Sequence, residues 1–472
     1  MNDYQVSEKK MTQIWGVLDR QAAMKLAGTE IPREAMKAET GGGRILAVRE
    51  EETQIRREKY LEVTGVIYPV DRNAPNIEWK ILLPFCWNRR SVQVGGGANN
   101  GQIPALEKEL LMSEYNPAEH GFVVFGDDSG HQSRDPMSAE FASNEEALQN
   151  YIRLHLRIWG ALLSKAVYDS YEENIHPYSD GFIDEKTVAG IQKDAIGWYD
   201  ELDGIRDGIV SNIYAARANR HVFIEMIREK YHLTEAQLHT IEIYEKGFEL
   251  EYAMPNGVNI YHGCSALEGG IMDLGPDPVP REPLDTRYNV HHGDRSDGVF
   301  KYFITRDRNW KLIDHDYRRP DPELYRMLME ASVSYDVNQP ELDDFIAHGG
   351  KMILFTSWND MSISPWQIIS QYQGYVKKYG QEQVDRFLKF YCMPSATHCS
   401  GIFMDYLEWL DTWCTTGIYP SETLYGKIAE TGGEMPMAEF PGWVRYTGGD
   451  PKAGTSYEIS YEIPEGFFEE FA

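Results

Sequence analysis

The chain has 472 residues, 42% of them hydrophobic and 25% charged, with a formal net charge of −28. That length is too great for one small core and calls for a core plus a substantial insertion, in a composition ordinary for a folded soluble protein. The acidic balance excludes a nucleic-acid partner, which needs a basic face, and suits cation binding.

The opening residues carry no apolar stretch with a cleavage pattern, so no signal peptide is expected. No run is long and apolar enough for a transmembrane helix, so no membrane partner is expected either. A cytoplasmic location is favoured over secretion without a leader. The oligomeric state is left open. Five cysteines are present, Cys86, Cys264, Cys392, Cys399 and Cys414, with no CxxC pair. A zinc ribbon or a thioredoxin-type motif is therefore excluded, and the odd number leaves at least one thiol free.

In chain order, residues 1–55 read as a polar, helical lead-in. From Tyr60 to Val94 apolar and polar residues alternate between prolines, which predicts strands joined by turns. The glycine cluster Gly95-Gly96-Gly97 follows. It reads either as a turn or as a source of backbone N–H groups for an oxyanion hole. The run from Gly121 to Phe125 predicts a buried strand, and residues 143–173 have helical periodicity through Leu148, Ile152, Leu156 and Leu163. From about 175 to 345 Asp, Gly, Pro and aromatic residues dominate, which predicts an insertion poor in long regular segments. Order returns at Gly349-Gly350, with a strand over 351–356, a helix over 366–378, a strand around Phe387–Tyr391 and an amphipathic helix over 401–414. This last alternation predicts parallel strands, hence an α/β fold with a mostly parallel sheet. The division is 1–172 and 346–472 as two parts of one core, with 173–345 inserted as a lid.

Functional residues of open α/β sheets collect beyond the carboxyl ends of strands. Asp360 follows the strand 351–356, and His398 follows the next one. Singly they read as a helix cap and an ordinary loop histidine. Together they fit the order of the acid and base of a Ser-Asp-His hydrolase, with His398 as general base and Asp360 fixing its tautomer. Asp200, Asp203 and Asp207 recur in a loop broken by Gly204 and Gly208. Hard cations such as calcium take several oxygens from such loops, and the spacing is not that of an EF-hand.

These motifs together resemble the tannase and feruloyl esterase family. Leu83-Pro84, Trp87-Asn88 and the glycine cluster resemble its entry strands. Asp128-Ser129-Gly130-His131 resembles its D-[TS]-G-H turn, and the stretch from Asp200 to Ser211 resembles its calcium loop. Leu233-Thr234-Glu235-Ala236-Gln237 resembles a segment of its lid. Trp358-Asn359-Asp360 and Met393-Pro394 to His398-Cys399 resemble the stretches that carry its acid and base. The resemblance implies an α/β-hydrolase-like core with a large lid. It implies hydrolysis of aromatic (phenolic) acid esters by a serine mechanism, and Ca2+ held by Asp200, Asp203, Asp207 and the carbonyls of Ile205 and Ile209. The family's nucleophile elbow belongs between the 143–173 helix and the calcium loop, where this chain has no room for it. Ser265, in Gly263-Cys264-Ser265, is the substitute candidate, and a Cys264–Cys399 disulfide would then tie nucleophile to base. Against Ser265 stand Leu267, where an elbow needs a small residue, and the helix-poor stretch that follows. Residues 260–270 then match a lid turn, and the chain would be a relative without catalysis, or an internally deleted form, that binds aromatic ligands.

Overall fold

In a computed structural model of the chain, the residues described are 16–154, 180–255, 257–276, 278, 293–335, 342–394, 396–420 and 423–468. They form two compact units. The first comprises Met1–Leu110, Glu114–Arg157 and Lys301–Arg308, and the second Leu111–Ser113, Ile158–Phe300 and Asn309–Ala472. This partition differs from the expected three-part division. Most of the 173–345 segment clusters with the C-terminal residues.

The first unit is built on a six-stranded sheet of β1 (Glu30–Ile31), β2 (Gly43–Glu52), β3 (Lys59–Ile67), β4 (Ile77–Pro84), β5 (Ser91–Gln93) and β6 (Val123–Asp127), in the spatial order β1-β2-β3-β4-β6-β5. The pairing is antiparallel except for β5 with β6, which is parallel. Leu61, Leu82 and Val124 are the most deeply buried apolar side chains of this sheet. The lead-in expected to be helical contains the ten-residue β2. Its Arg49-Glu50-Glu51-Glu52 end is polar, yet it pairs with β3 from Arg49↔Glu62 to Glu52↔Lys59. A ladder of that length overrides local propensity. The turn after β6 is set by Asp128, whose buried carboxylate accepts the amides of Glu78 and Gly130, with Ser129 and Gly130 in the left-handed region. Burial pushes the Asp128 carboxyl up to about 6. Helix α1 (Glu145–Leu154) buries Ala147, Leu148, Tyr151 and Ile152. The remainder of the expected 143–173 helix lies outside the described residues.

Gly65 in β3 is required by close packing. A Cβ there would lie 2.1 Å from Trp79 Cζ2 and 2.6 Å from the Arg44 carbonyl. Gly65→Ala is expected to destabilise the unit by about 1–3 kcal/mol through overpacking, although Ala is otherwise the better strand residue. Thermal denaturation reads this as a lowered Tm; an unchanged Tm would refute the packing account.

In the second unit the 175–345 stretch is more regular than expected. It holds α2 (Glu185–Tyr199), α3 (Arg220–Tyr231), α4 (Glu235–Lys246) and α5 (Pro322–Tyr335). Local caps start two of them. Asp184 accepts the amides of Lys186 and Thr187, and Thr234 with Gln237 forms a reciprocal capping box. Val188, Ile191, Ala195 and Tyr199 recur at helical spacing on α2 and pack with Phe223, Ile227, Ile241 and Tyr244. Further along, β7 (Met352–Ser357) and β8 (Leu388–Met393) pair in parallel, from Met352↔Leu388 to Ser357↔Met393. The crossover between them contains α6 (Pro365–Tyr379), and α7 (Tyr406–Thr416) follows β8. Trp358, Trp366, Ile369, Phe387 and Phe390 form the core around this pair. Parallel pairing is thus found where the alternating pattern called for it, whereas the N-terminal sheet is largely antiparallel. Among the described residues no helix is long and apolar enough to cross a membrane.

Candidate active site

The parallel ends of β7 and β8 bring two loops together. The Trp358 amide donates to the Met393 carbonyl at 2.9 Å and the Asn359 amide to the Ala396 carbonyl at 3.2 Å. Between these loops Asp360 Oδ2 meets His398 Nδ1 at 2.9 Å. The other carboxylate oxygen, Oδ1, accepts the amides of Ser362 at 2.8 Å and Ile363 at 2.9 Å. Asp360 is therefore held by the main chain while it orients the ring, and the N-cap of α6 is Ser364. The Asp360 side chain is 9% exposed and that of His398 is 45% exposed, so the pair presents only its imidazole to solvent. The Asp360 hydrogen bond, and after it the Cys399 thiol, push the His398 ring up to about 10.

His398 lines a cavity of about 220 Å3 together with Tyr244, Ile271, Asp273, Met361 and Thr397. Of the aromatics that the sequence offers in this region, Tyr244 reaches this cavity. Tyr199 and Tyr261 are buried. Asp273, Ile271 and Met361 were not singled out from sequence. Met361 adjoins Asp360 in the chain, whereas nothing local marks Ile271 or Asp273.

Ser265 is placed differently. It has no exposed surface, and its hydroxyl accepts the Trp366 indole N–H at 3.2 Å. It is not among the residues lining the cavity at His398. The preceding residues pair as a short antiparallel ribbon, Ile260↔Glu249 and Tyr261↔Phe248, and a single 3-10 turn over Ala266–Glu268 follows. A buried ionic cluster fixes that turn. Glu245 Oε1 accepts the Leu267 amide at 2.6 Å, and Arg217 Nη1 lies 3.3 Å from Glu245 Oε2 and 3.5 Å from Glu268 Oε1.

The expected Cys264–Cys399 disulfide is absent, and neither sulfur is bonded to another. Cys264 is buried, with its sulfur directed at the Met361 carbonyl 3.8 Å away, whereas Cys399 is exposed. Gly95, Gly96 and Gly97 lie in the first unit, in the loop after β5, where the Asn100 carboxamide fills the space that a Gly96 side chain would need.

The acidic loop winds tightly. Asp200 Oδ1 accepts the amides of Asp207 and Gly208, Asp203 those of Ile205 and Ser211, and Asp207 that of Ile209. Burial, and secondarily Asp207, pushes the Asp203 carboxyl up to about 7. Among the described residues no group of three or more His, Cys, Asp or Glu side chains is arranged to hold a metal ion alone. An ion here would need main-chain carbonyls as well.

The family description "Tannase and feruloyl esterase" matches residues 61–176 and 154–460. An uncharacterized esterase of Agrobacterium fabrum is 30% identical over 517 aligned positions, covering 92% of each chain. That span exceeds the 472 residues present here, so the relative carries aligned positions that this chain lacks. A probable feruloyl esterase of Arthroderma benhamiae is 23% identical over 58% of this chain and 52% of its own. Among solved structures, feruloyl esterase B from Aspergillus oryzae superimposes with a TM-score of 0.70 at 14% identity, covering 90% of this chain and 98% of that one. Tannin acyl hydrolase from Aspergillus niger does so with a TM-score of 0.62 at 13% identity, covering 99% and 96%. The chain belongs to the tannase and feruloyl esterase family.

Proposed function

We propose that the chain hydrolyses aromatic (phenolic) acid esters, with the Asp360–His398 pair handling the proton. The observation that carries this reading is the 2.9 Å contact of Asp360 Oδ2 with His398 Nδ1 beside a cavity. A carboxylate on Nδ1 holds the imidazole in the tautomer that leaves Nε2 for the reacting groups and stabilises the ring when it is charged. Tyr244, Ile271 and Met361 supply apolar surface for an aromatic acyl group. The test is chromatographic release of the free acid from a phenolic methyl ester, beside an aliphatic ester of equal size. Preferential release of the phenolic acid supports the proposal.

The second reading is a binding protein without turnover. Its support is Ser265, sealed beneath the Trp366 indole, in a chain that lacks aligned positions of its relative. Calorimetric binding of the phenolic ester with acid release at background would favour it.

We further propose that the loop binds calcium through the carboxylates of Asp200, Asp203 and Asp207 and the carbonyls of Ile205 and Ile209. The donors are all hard oxygens on a tight loop, and the carboxyl of Asp203 is buried, which is chemistry suited to that ion. Chelation is expected to lower the Tm, since a ligand held only by the folded state at 100 times its Kd adds about 2.7 kcal/mol. A Tm indifferent to chelator and to added calcium would remove the site.

A further inference from the structure

Residues 271–274 alternate between core and cavity. Met272 and Leu274 are buried and pack with the core of α2, α3 and α4. Ile271 and Asp273 are exposed, and both line the cavity of about 220 Å3 at His398. Two buried anchors thus hold a carboxylate at the cavity wall, beside an apolar side chain. Asp273 Oδ1 accepts the Gly275 amide at 3.4 Å. A carboxylate has about four acceptor positions, so capacity to accept from a ligand remains. The loops after β7 and β8 supply other parts of the lining, Met361 and His398 among them.

The described residues of this lining include one carboxylate, that of Asp273, and no Lys or Arg. The His398 ring is already matched by Asp360. A ring held against Ile271 and Met361 therefore finds an acceptor for its substituent, not a cation. An apolar cavity of about 150 Å3 takes benzene, so about 220 Å3 accommodates one aromatic ring with a small substituent.

We infer that Asp273 selects the acyl half of the ester: it accepts a hydrogen bond from a ring hydroxyl and repels an acyl group that carries a carboxylate. The inference rests on the ester-hydrolase reading and deepens it, naming the acyl group as a single ring with a hydroxyl and no negative charge. A hydrogen bond to a charged acceptor is stronger than one between neutral groups, and a methylated hydroxyl has no proton to donate. A carboxylate placed there meets like charge, and such repulsion separates one ligand from another as effectively as attraction does. Because Asp273 is exposed, solvent weakens both effects, and each should amount to about 10-fold in kcat/KM.

The test is free-acid release by the full chain, at fixed pH, from three methyl esters that differ at one ring position. They are methyl para-hydroxybenzoate, methyl para-methoxybenzoate and the methyl half-ester of the para-dicarboxylic acid. Comparing kcat/KM ratios between parent and variant cancels the intrinsic reactivity of each ester. The parent is expected to favour the hydroxyl ester over each of the others by about 10-fold. Asp273→Ala should abolish the preference for hydroxyl over methoxy. Asp273→Asn should admit the half-ester, with the gain in KM. In the unmutated chain, which needs no variant to fold, added salt should improve the half-ester and not the two neutral esters. Ratios that are the same in the parent and in both folded variants, or a parent that prefers the half-ester, overturn the role of Asp273 and leave the esterase reading standing. No release of any of the three acids by the parent overturns both.

Discussion

Asp360→Asn is expected to lower kcat for ester hydrolysis by roughly 10³–10⁴-fold while the fold survives. Two oxygens of this carboxylate have separate tasks. Oδ1 accepts the Ser362 and Ile363 amides, and Oδ2 accepts from His398 Nδ1. An asparagine keeps an oxygen for the two amides, so the loop into α6 stays shaped. It then turns an NH2 group toward Nδ1, which forces the imidazole into the opposite tautomer and takes away the charge that stabilises its protonated form. The loss should fall on kcat, with KM changed little, because Asp360 holds the ring and is itself buried. A steady-state assay beside a melting curve separates this from unfolding. Full activity in Asp360→Asn would contradict the relay.

Arg217→Met is expected to destabilise the second unit by about 3–5 kcal/mol, the cost of leaving a buried charge unpaired. Arg217, Glu245 and Glu268 are all buried. Arg217 Nη2 also donates to the Glu245 carbonyl at 3.2 Å, and its guanidinium lies 4.4 Å over the Trp366 ring. Removing it leaves two carboxylates facing one another and frees the turn that carries Ser265. The same cluster fixes the sign of a pH effect. Burial, and then the Glu245 charge, push the Glu268 carboxyl up to about 8 from 4.5. Between those two values the folded chain binds more protons at this site than the unfolded chain does, so stability falls as pH rises through the window and levels off above it. Arg217, Arg220, Glu245 and the Tyr199 hydroxyl are the charged and titratable groups that act on this carboxyl. Urea melts at pH 5 and pH 8 would show the slope in the parent chain. In Arg217→Met the decline should continue to higher pH, since the cation that opposes protonation is gone. A decline that levels off at the same pH in both proteins would contradict this account.

The site was legible where a local pattern coincided with a topological rule. The β7 and β8 strands are short apolar runs joined by a helical pattern, which only a parallel pair satisfies. Residues just past their carboxyl ends then have to be neighbours, and Asp360 and His398 are. The fold was illegible where distant partners decided. The charged end of β2 is a strand because β3 supplies a nine-residue ladder. Two of the helices between 185 and 246, α2 and α4, carry their own caps, but glycines and aromatics in the same stretch hid the spacing of Val188, Ile191 and Ala195. Ile260 to Ser265 reads as an elbow entry in one dimension. It is a ribbon edge and a buried turn because Arg217 and Glu245, 48 and 20 residues away from Ser265, hold the turn from inside the core. Nor can spacing alone show whether Cys264 and Cys399 meet, since that depends on where two unconnected loops end.

The central claim, that His398 works on esters from its seat on Asp360, is tested most directly by free-acid release from a phenolic methyl ester at fixed pH, comparing the parent chain with His398→Ala at matched Tm. The account predicts steady release by the parent and a fall of at least about 10²-fold in the variant. Equal release by the two proteins would contradict it.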